Sequence, residues 1–88
     1  MGILTELPNI GAKLEQQLNE IGVTEPAQLR EIGAENAWLK IQKNDSSACL
    51  LRLMALEGAV QGIKKNDLPD SRKQELKQFY HEHKIPRK

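Results

Sequence analysis

The stretch Leu7-Pro8-Asn9-Ile10-Gly11, with Lys13 two residues further on, has the residue types that can hold a phosphate. A helix opening just after Gly11 leaves its first backbone N–H groups without intrahelical partners, and those groups attract an anion. Lys13 adds a cation to the same turn. The pattern echoes 22 residues later: Ile10-Gly11-Ala12 and Ile32-Gly33-Ala34 are each preceded by a leucine three positions before the isoleucine. Both are read as sharp corners turning at the glycine, each opening a helix. Arg30 and Lys40 are the cations near the second corner, so Asn9, Gly11, Lys13, Arg30 and Lys40 form the candidate nucleic-acid contact.

Other reactive residue types lack the spacing that chemistry requires. His81 and His83 are two apart and face different sides of a helix, whereas metal-ligand pairs need a separation of three or four. Cys49 falls on the apolar face of its helix and is expected to be packed and inert, with no histidine near it in sequence. His83 is expected as a partly buried edge residue. No serine, aspartate or glutamate stands at a nucleophile–base spacing, and no glycine-rich phosphate loop is present. The expectation is a non-enzymatic domain with no cofactor, no metal and no small-molecule substrate.

The elements that must position these residues are helical, because apolar side chains recur every three to four positions and β-branched alternation is missing. Leu14, Leu18 and Ile21 line a first helix ended by Gly22. Thr24 caps a short second one with Pro26 in its first turn and Leu29 and Ile32 buried. Ala34, Ala37, Trp38 and Ile41 mark a third. A fourth, over about 47–63, is apolar nearly all round and therefore central, with Cys49, Leu53, Leu56, Val60 and Ile63 on one face. Its glycines Gly58 and Gly62 are costly inside a helix and imply close packing. After the polar break Lys64-Lys65-Asn66, a last helix puts Leu76, Phe79, Tyr80 and His83 inward, and 81–88 is read as a fraying tail. The expected core is Leu18, Ile21, Trp38, Ile41, Leu53, Leu56, Val60, Ile63, Leu76 and Phe79.

Eighty-eight residues allow one domain, and 39% apolar with 28% charged side chains exclude a disordered or polybasic tail. One cysteine excludes a disulfide scaffold, and no apolar run is long enough to cross a membrane. The formal charge of +1 hides a polarity. Residues 1–44 carry four basic and six acidic side chains, residues 45–88 nine basic and six acidic. Arg52, on the apolar side of the fourth helix, needs a carboxylate or must reach solvent. With Lys64, Lys65, Arg72 and Lys73 it forms the candidate partner-binding set, on a basic surface that suits an acidic protein as well as phosphate. Protein association, including self-association of an acidic front with a basic rear, is thus the alternative to nucleic-acid binding.

The hairpin Leu7-Pro8-Asn9-Ile10-Gly11 resembles that of helix-hairpin-helix domains, with Asn9 where a glycine is usual. More extensively, the order of Leu7-Pro8-Asn9-Ile10-Gly11, Ile21-Gly22-Val23-Thr24, Gly33-Ala34 with Ala37-Trp38-Leu39, Ala55-Leu56-Glu57-Gly58-Ala59 and Asp67-Leu68-Pro69 resembles the C-terminal domain of the TfoX (Sxy) family. That resemblance covers about residues 3–80. It implies an all-helical fold with helix-hairpin-helix-like corners, tied to control of competence for DNA uptake. Beside it stand the all-α bundle of about five helices that the periodicity predicts and the cytoplasmic setting that the lone cysteine and the lack of a membrane span or secretion signal lead one to expect. Family members usually carry an α/β N-terminal TfoX domain ahead of this one, so such a domain on another chain, DNA, or a second copy are the expected partners.

Overall fold

In the computed structural model, residues 4–45 and 48–84 are described. Five α-helices account for most of them: α1 (Ala12–Glu20), α2 (Pro26–Ile32), α3 (Ala34–Asn44), α4 (Leu50–Gln61) and α5 (Asp70–His83), with short 3₁₀ turns at Leu4–Glu6 and Lys65–Asp67. No strand occurs among the described residues, so the fold is all-α. The break expected at Lys64-Lys65-Asn66 is the second of these 3₁₀ turns.

The helical periodicity predicts the burial of α3 closely. Ala34, Ala37, Trp38 and Ile41 are all buried, and Trp38 packs against Phe79 and Tyr80 of α5 at ring distances of 6.0 and 5.5 Å. α3 also lies along α4, which α5 and the second 3₁₀ turn contact as well. Leu18, Leu53, Leu56 and Leu76 complete the fully buried centre as expected. Ile21, Ile32, Val60, Ile63 and Phe79 sit at its margin, only partly buried, while Leu4, Ile10, Val23 and Leu68 from the connections fill the core alongside them.

Several local expectations are corrected. Glu25, not Thr24, occupies the N-cap position of α2, because the Gln28 side chain turns back and accepts hydrogen bonds from the Thr24 and Glu25 N–H groups (2.7 and 3.1 Å). α4 starts at Leu50 rather than 47, and residues 46–47 lie outside the described residues. Cys49 is its N-cap and is exposed, since a residue before the first helical turn need not follow the helix's apolar face. A disulfide reagent should therefore titrate one thiol per chain in the folded protein within minutes; reaction only after denaturation would contradict the exposure. The helix α5 runs through His83, so 81–83 are not frayed, while 85–88 lie outside the described residues. His83 is exposed, stacked on Phe79 at 4.1 Å.

The two echoing corners also differ. In the first, the left-handed residue is Asn9 (φ 70°) and Gly11 is extended; in the second it is Gly33 itself (φ 86°). Gly58 and Gly62 part company too. Gly62 is the left-handed C-cap of α4, with Ile63 N–H bonded to Gly58 O at 2.9 Å, whereas Gly58 alone serves close packing.

Candidate functional site

The hairpin corner is built from the turn after Leu7 and the start of α1. Asn9 can hold its positive φ because its short side chain tolerates the left-handed region. That conformation turns the amide inward rather than toward an incoming phosphate. Its Nδ2 donates to Ile63 O (3.0 Å) and, at 3.5 Å, to Ala55 O, while Oδ1 accepts from the Lys65 N–H (3.1 Å). Asn9 thus closes the carbonyl end of α4, and Gly58 supplies the room for it. The first backbone N–H groups of α1 remain at an exposed end beside Gly11, and Lys13 is exposed in that first turn.

Lys13 borders a polar cleft of about 290 Å³ between α1 and α3, shared with Gln16, Gln17, Glu20, Asn44 and Asp45. Gln17 donates to Asp45 there at 2.9 Å, and the same carboxylate oxygen takes the Arg52 guanidinium at 3.1 Å. Arg52 is thereby an internal tie between the end of α3 and the start of α4, with both side chains about three-quarters buried. The sequence-based demand for a counter-ion is met, and the partner is Asp45 of the preceding connection.

Lys40 stands on a different cleft. A depression of about 580 Å³ runs between the end of α2, α3 and the end of α5, with Ile32 and Leu39 as its apolar surface and Lys40, Lys43, Glu31 and His83 around it. The Asn36 side chain closes one side by donating to Ile32 O (3.0 Å), and Gln42 ties the far end by donating to His83 O (2.9 Å). Arg30 is exposed in the last turn of α2. The five residues proposed for one phosphate surface are therefore divided: Asn9 faces inward, and Lys13 and Lys40 line separate clefts.

The basic rear is thinner than its residue count suggests. Arg72 spends its guanidinium on three carboxylates, Glu35 (2.8 Å), Glu57 (3.0 Å) and Glu75 (3.2 Å), joining α3, α4 and α5. As a cation of a free partner-binding stripe it is corrected to a tie inside the bundle. Burial pushes the Glu57 carboxyl up, but hydrogen bonds from Arg72 and Gln61 and the Arg72 charge outweigh it and hold the group below its ordinary value. The Arg72 guanidinium is in turn held more firmly protonated, chiefly by its bond to Glu57. Lys73 reaches back to Asn66 O at 3.2 Å, and the Lys65 N–H serves Asn9. Lys64 is exposed.

Glu35 and Glu57 escaped the sequence reading as partners of Arg72. Glu57 carried a usable signal, since a carboxylate in the thin polar strip of an otherwise apolar helix requires a cation from elsewhere. Among the described residues no three His, Cys, Asp or Glu side chains gather as a metal site, and no helix is long and apolar enough to cross a membrane.

This fold and sequence have clear relatives. A crystallised, uncharacterised protein from Listeria monocytogenes is 49% identical, with a TM-score of 0.89 over 90% of each chain. Another Listeria monocytogenes structure, of a protein of unknown function in a tetragonal form, is also 49% identical, with a TM-score of 0.86 over 89% of this chain and 96% of that one. Protein Sxy of Escherichia coli K12 is 38% identical over 76 residues, covering 86% of this chain and 36% of Sxy. The DNA transformation protein TfoX of Haemophilus influenzae is 40% identical over 73 residues, covering 83% of this chain and 34% of TfoX. The chain therefore spans about a third of the length of the curated relatives it matches. With residues 1–80 matching the family of the TfoX C-terminal domain, the chain belongs to that family.

Proposed function

We propose that this domain is a non-enzymatic regulatory module, serving control of DNA uptake in the cytoplasm, that works by holding a segment of another protein. The observation that carries the reading is the cleft between α2, α3 and the end of α5. Ile32 and Leu39 offer apolar surface there, and the two lysines Lys40 and Lys43 outnumber the single carboxylate Glu31 around it. Such a lining suits a segment whose apolar side chains are flanked by Asp or Glu, the apolar contact supplying affinity and the lysines orientation. The link to DNA uptake rests on the family resemblance and on the name of the Haemophilus influenzae relative, a DNA transformation protein. Because the match covers only about a third of each curated relative, an α/β N-terminal TfoX domain is the first partner to test.

Duplex DNA is the second reading, supported by the open start of α1 at Gly11 with Lys13 beside it. It carries less weight because Asn9 is occupied at the end of α4 and residues 1–44 bear six acidic against four basic side chains. Fluorescence anisotropy with a labelled N-terminal TfoX domain and with a labelled duplex separates the two. The protein partner should bind, and the double substitution Lys40→Glu with Lys43→Glu should weaken it at least about tenfold while Lys13→Glu leaves it unchanged. Salt-sensitive duplex binding lost on Lys13→Glu, with no binding of the protein partner, would overturn the proposal in favour of DNA.

A further inference from the structure

The outer face of α4 is uncovered. Leu51 is 61% exposed, the one large hydrophobic side chain so placed among the described residues, and Met54 one turn later is only partly buried. Met54 also lines a shallow depression of about 270 Å³ with Asp70, Lys73, Gln74 and Lys77 of α5. These α5 residues sit at i, i+3, i+4 and i+7, so they form one stripe along the helix beside the apolar strip of α4. The position is independent of the cleft that holds Lys40.

We infer that this face binds a second copy of the same chain, with the two α5 helices antiparallel about a two-fold axis. An interface of that symmetry must be self-complementary, because each residue meets the copy of another on the same patch. The stripe satisfies the condition. Antiparallel alignment centred between Lys73 and Gln74 sets Asp70 against Lys77 of the second copy, twice, and sets Lys73 against Gln74, so no like charges face each other. Lys73 is in addition drawn back toward Asn66 O (3.2 Å), which leaves the apolar part of the contact to Met54, on the same depression, and to Leu51 one turn before it on α4. An acidic partner would bring a carboxylate onto Asp70, and a nucleic-acid phosphate would do the same; a second copy meets every charge on the stripe with its opposite or with an amide. The apolar part is small beside the roughly 800 Å² that each partner buries in a stable specific interface, so the association is weak, with a Kd on the order of 100 μM.

Sedimentation velocity from about 10 μM to 1 mM tests the pairing, with circular dichroism melts to verify that each variant is folded. The wild type should pass from monomer to dimer over that range, and Leu51→Glu, which places a charge at an already exposed position, should remain monomeric throughout. Asp70→Lys and Lys77→Asp should each weaken association at least about tenfold, by setting lysine against lysine or aspartate against aspartate. An equimolar mixture of those two variants should regain dimerisation, because each Asp70→Lys chain then offers two lysines to the two aspartates of a Lys77→Asp chain. A wild type that stays monomeric at 1 mM overturns the inference. So does a dimer indifferent to Leu51→Glu, or a mixture no more associated than its components.

Discussion

Gly58→Ala is expected to lower the melting temperature by about 10–20 °C, the equivalent of about 2–3 kcal/mol in a domain of this size. A Cβ at that position would fall on the Asn9 amide nitrogen and lie 2.7 Å from Ile63 O and 3.2 Å from Lys65 N. Two of those neighbours are backbone and cannot rotate away. The third is held by hydrogen bonds to residues 54 and 56 positions away in sequence, so moving it breaks the junction between the hairpin and the end of α4. Gly62→Ala provides the contrast. It meets a left-handed backbone (φ 77°), which Gly58 does not, but faces open space, and should cost only the conformational strain, about 1–2 kcal/mol. Asn9→Asp keeps the size and the acceptor while setting carboxylate oxygen against Ile63 O, and should cost about 1–3 kcal/mol. Thermal denaturation by circular dichroism measures all three. A Gly58→Ala loss no larger than that of Gly62→Ala would show that the glycine does not serve the close approach.

Acid should loosen the bundle through Glu57. Its carboxyl is held below the ordinary value, so the stabilisation is complete above the unfolded-state value of about 4.3 and disappears as pH falls through the lower folded-state value. Melting temperatures should therefore decline from about pH 5 downward, and Glu57→Gln should flatten that decline while keeping most of the packing. Arg72 does not titrate in this range, so it contributes no pH dependence of its own. Removing it is nonetheless costly. Arg72→Ala strands a buried carboxylate and should destabilise by about 2–4 kcal/mol at neutral pH, most of it from Glu57, because Glu75 is two-thirds exposed and its pair is screened by water. Melts between pH 3 and 7 compare the wild type with Glu57→Gln. Equal slopes would place the acid sensitivity elsewhere.

The helices and their inward faces were legible in the sequence because both follow from local rules. Leu14 and Leu18 on α1, or Ala34, Ala37, Trp38 and Ile41 on α3, are set by a 3.6-residue period that needs no knowledge of what packs against them. The glycine terminator after α1 was equally local, since a left-handed residue ends a helix wherever it falls, whereas Gly62 was read as lying inside α4 and is its left-handed C-cap. Membership of the family was also carried by order and spacing along the chain.

The roles of the polar side chains were decided only by the tertiary structure. Asn9 could have faced a phosphate, and it faces α4 because the hairpin packs against a segment more than fifty residues downstream. Arg72 counted as surface charge until α3 and α4 brought Glu35 and Glu57 to it. Cys49 shared the apolar phase of α4 but precedes its first turn, and Lys13 and Lys40, both near corners, ended on different clefts. A hydrophobic period has one favourable outcome, burial of its face, whereas a polar group can be satisfied by water, by a neighbour or by a distant helix. Which of these wins depends on how the helices are assembled. Periodicity alone thus determined the all-α bundle, and the assembly decided which of its cations and amides hold the domain together and which remain free to meet a partner.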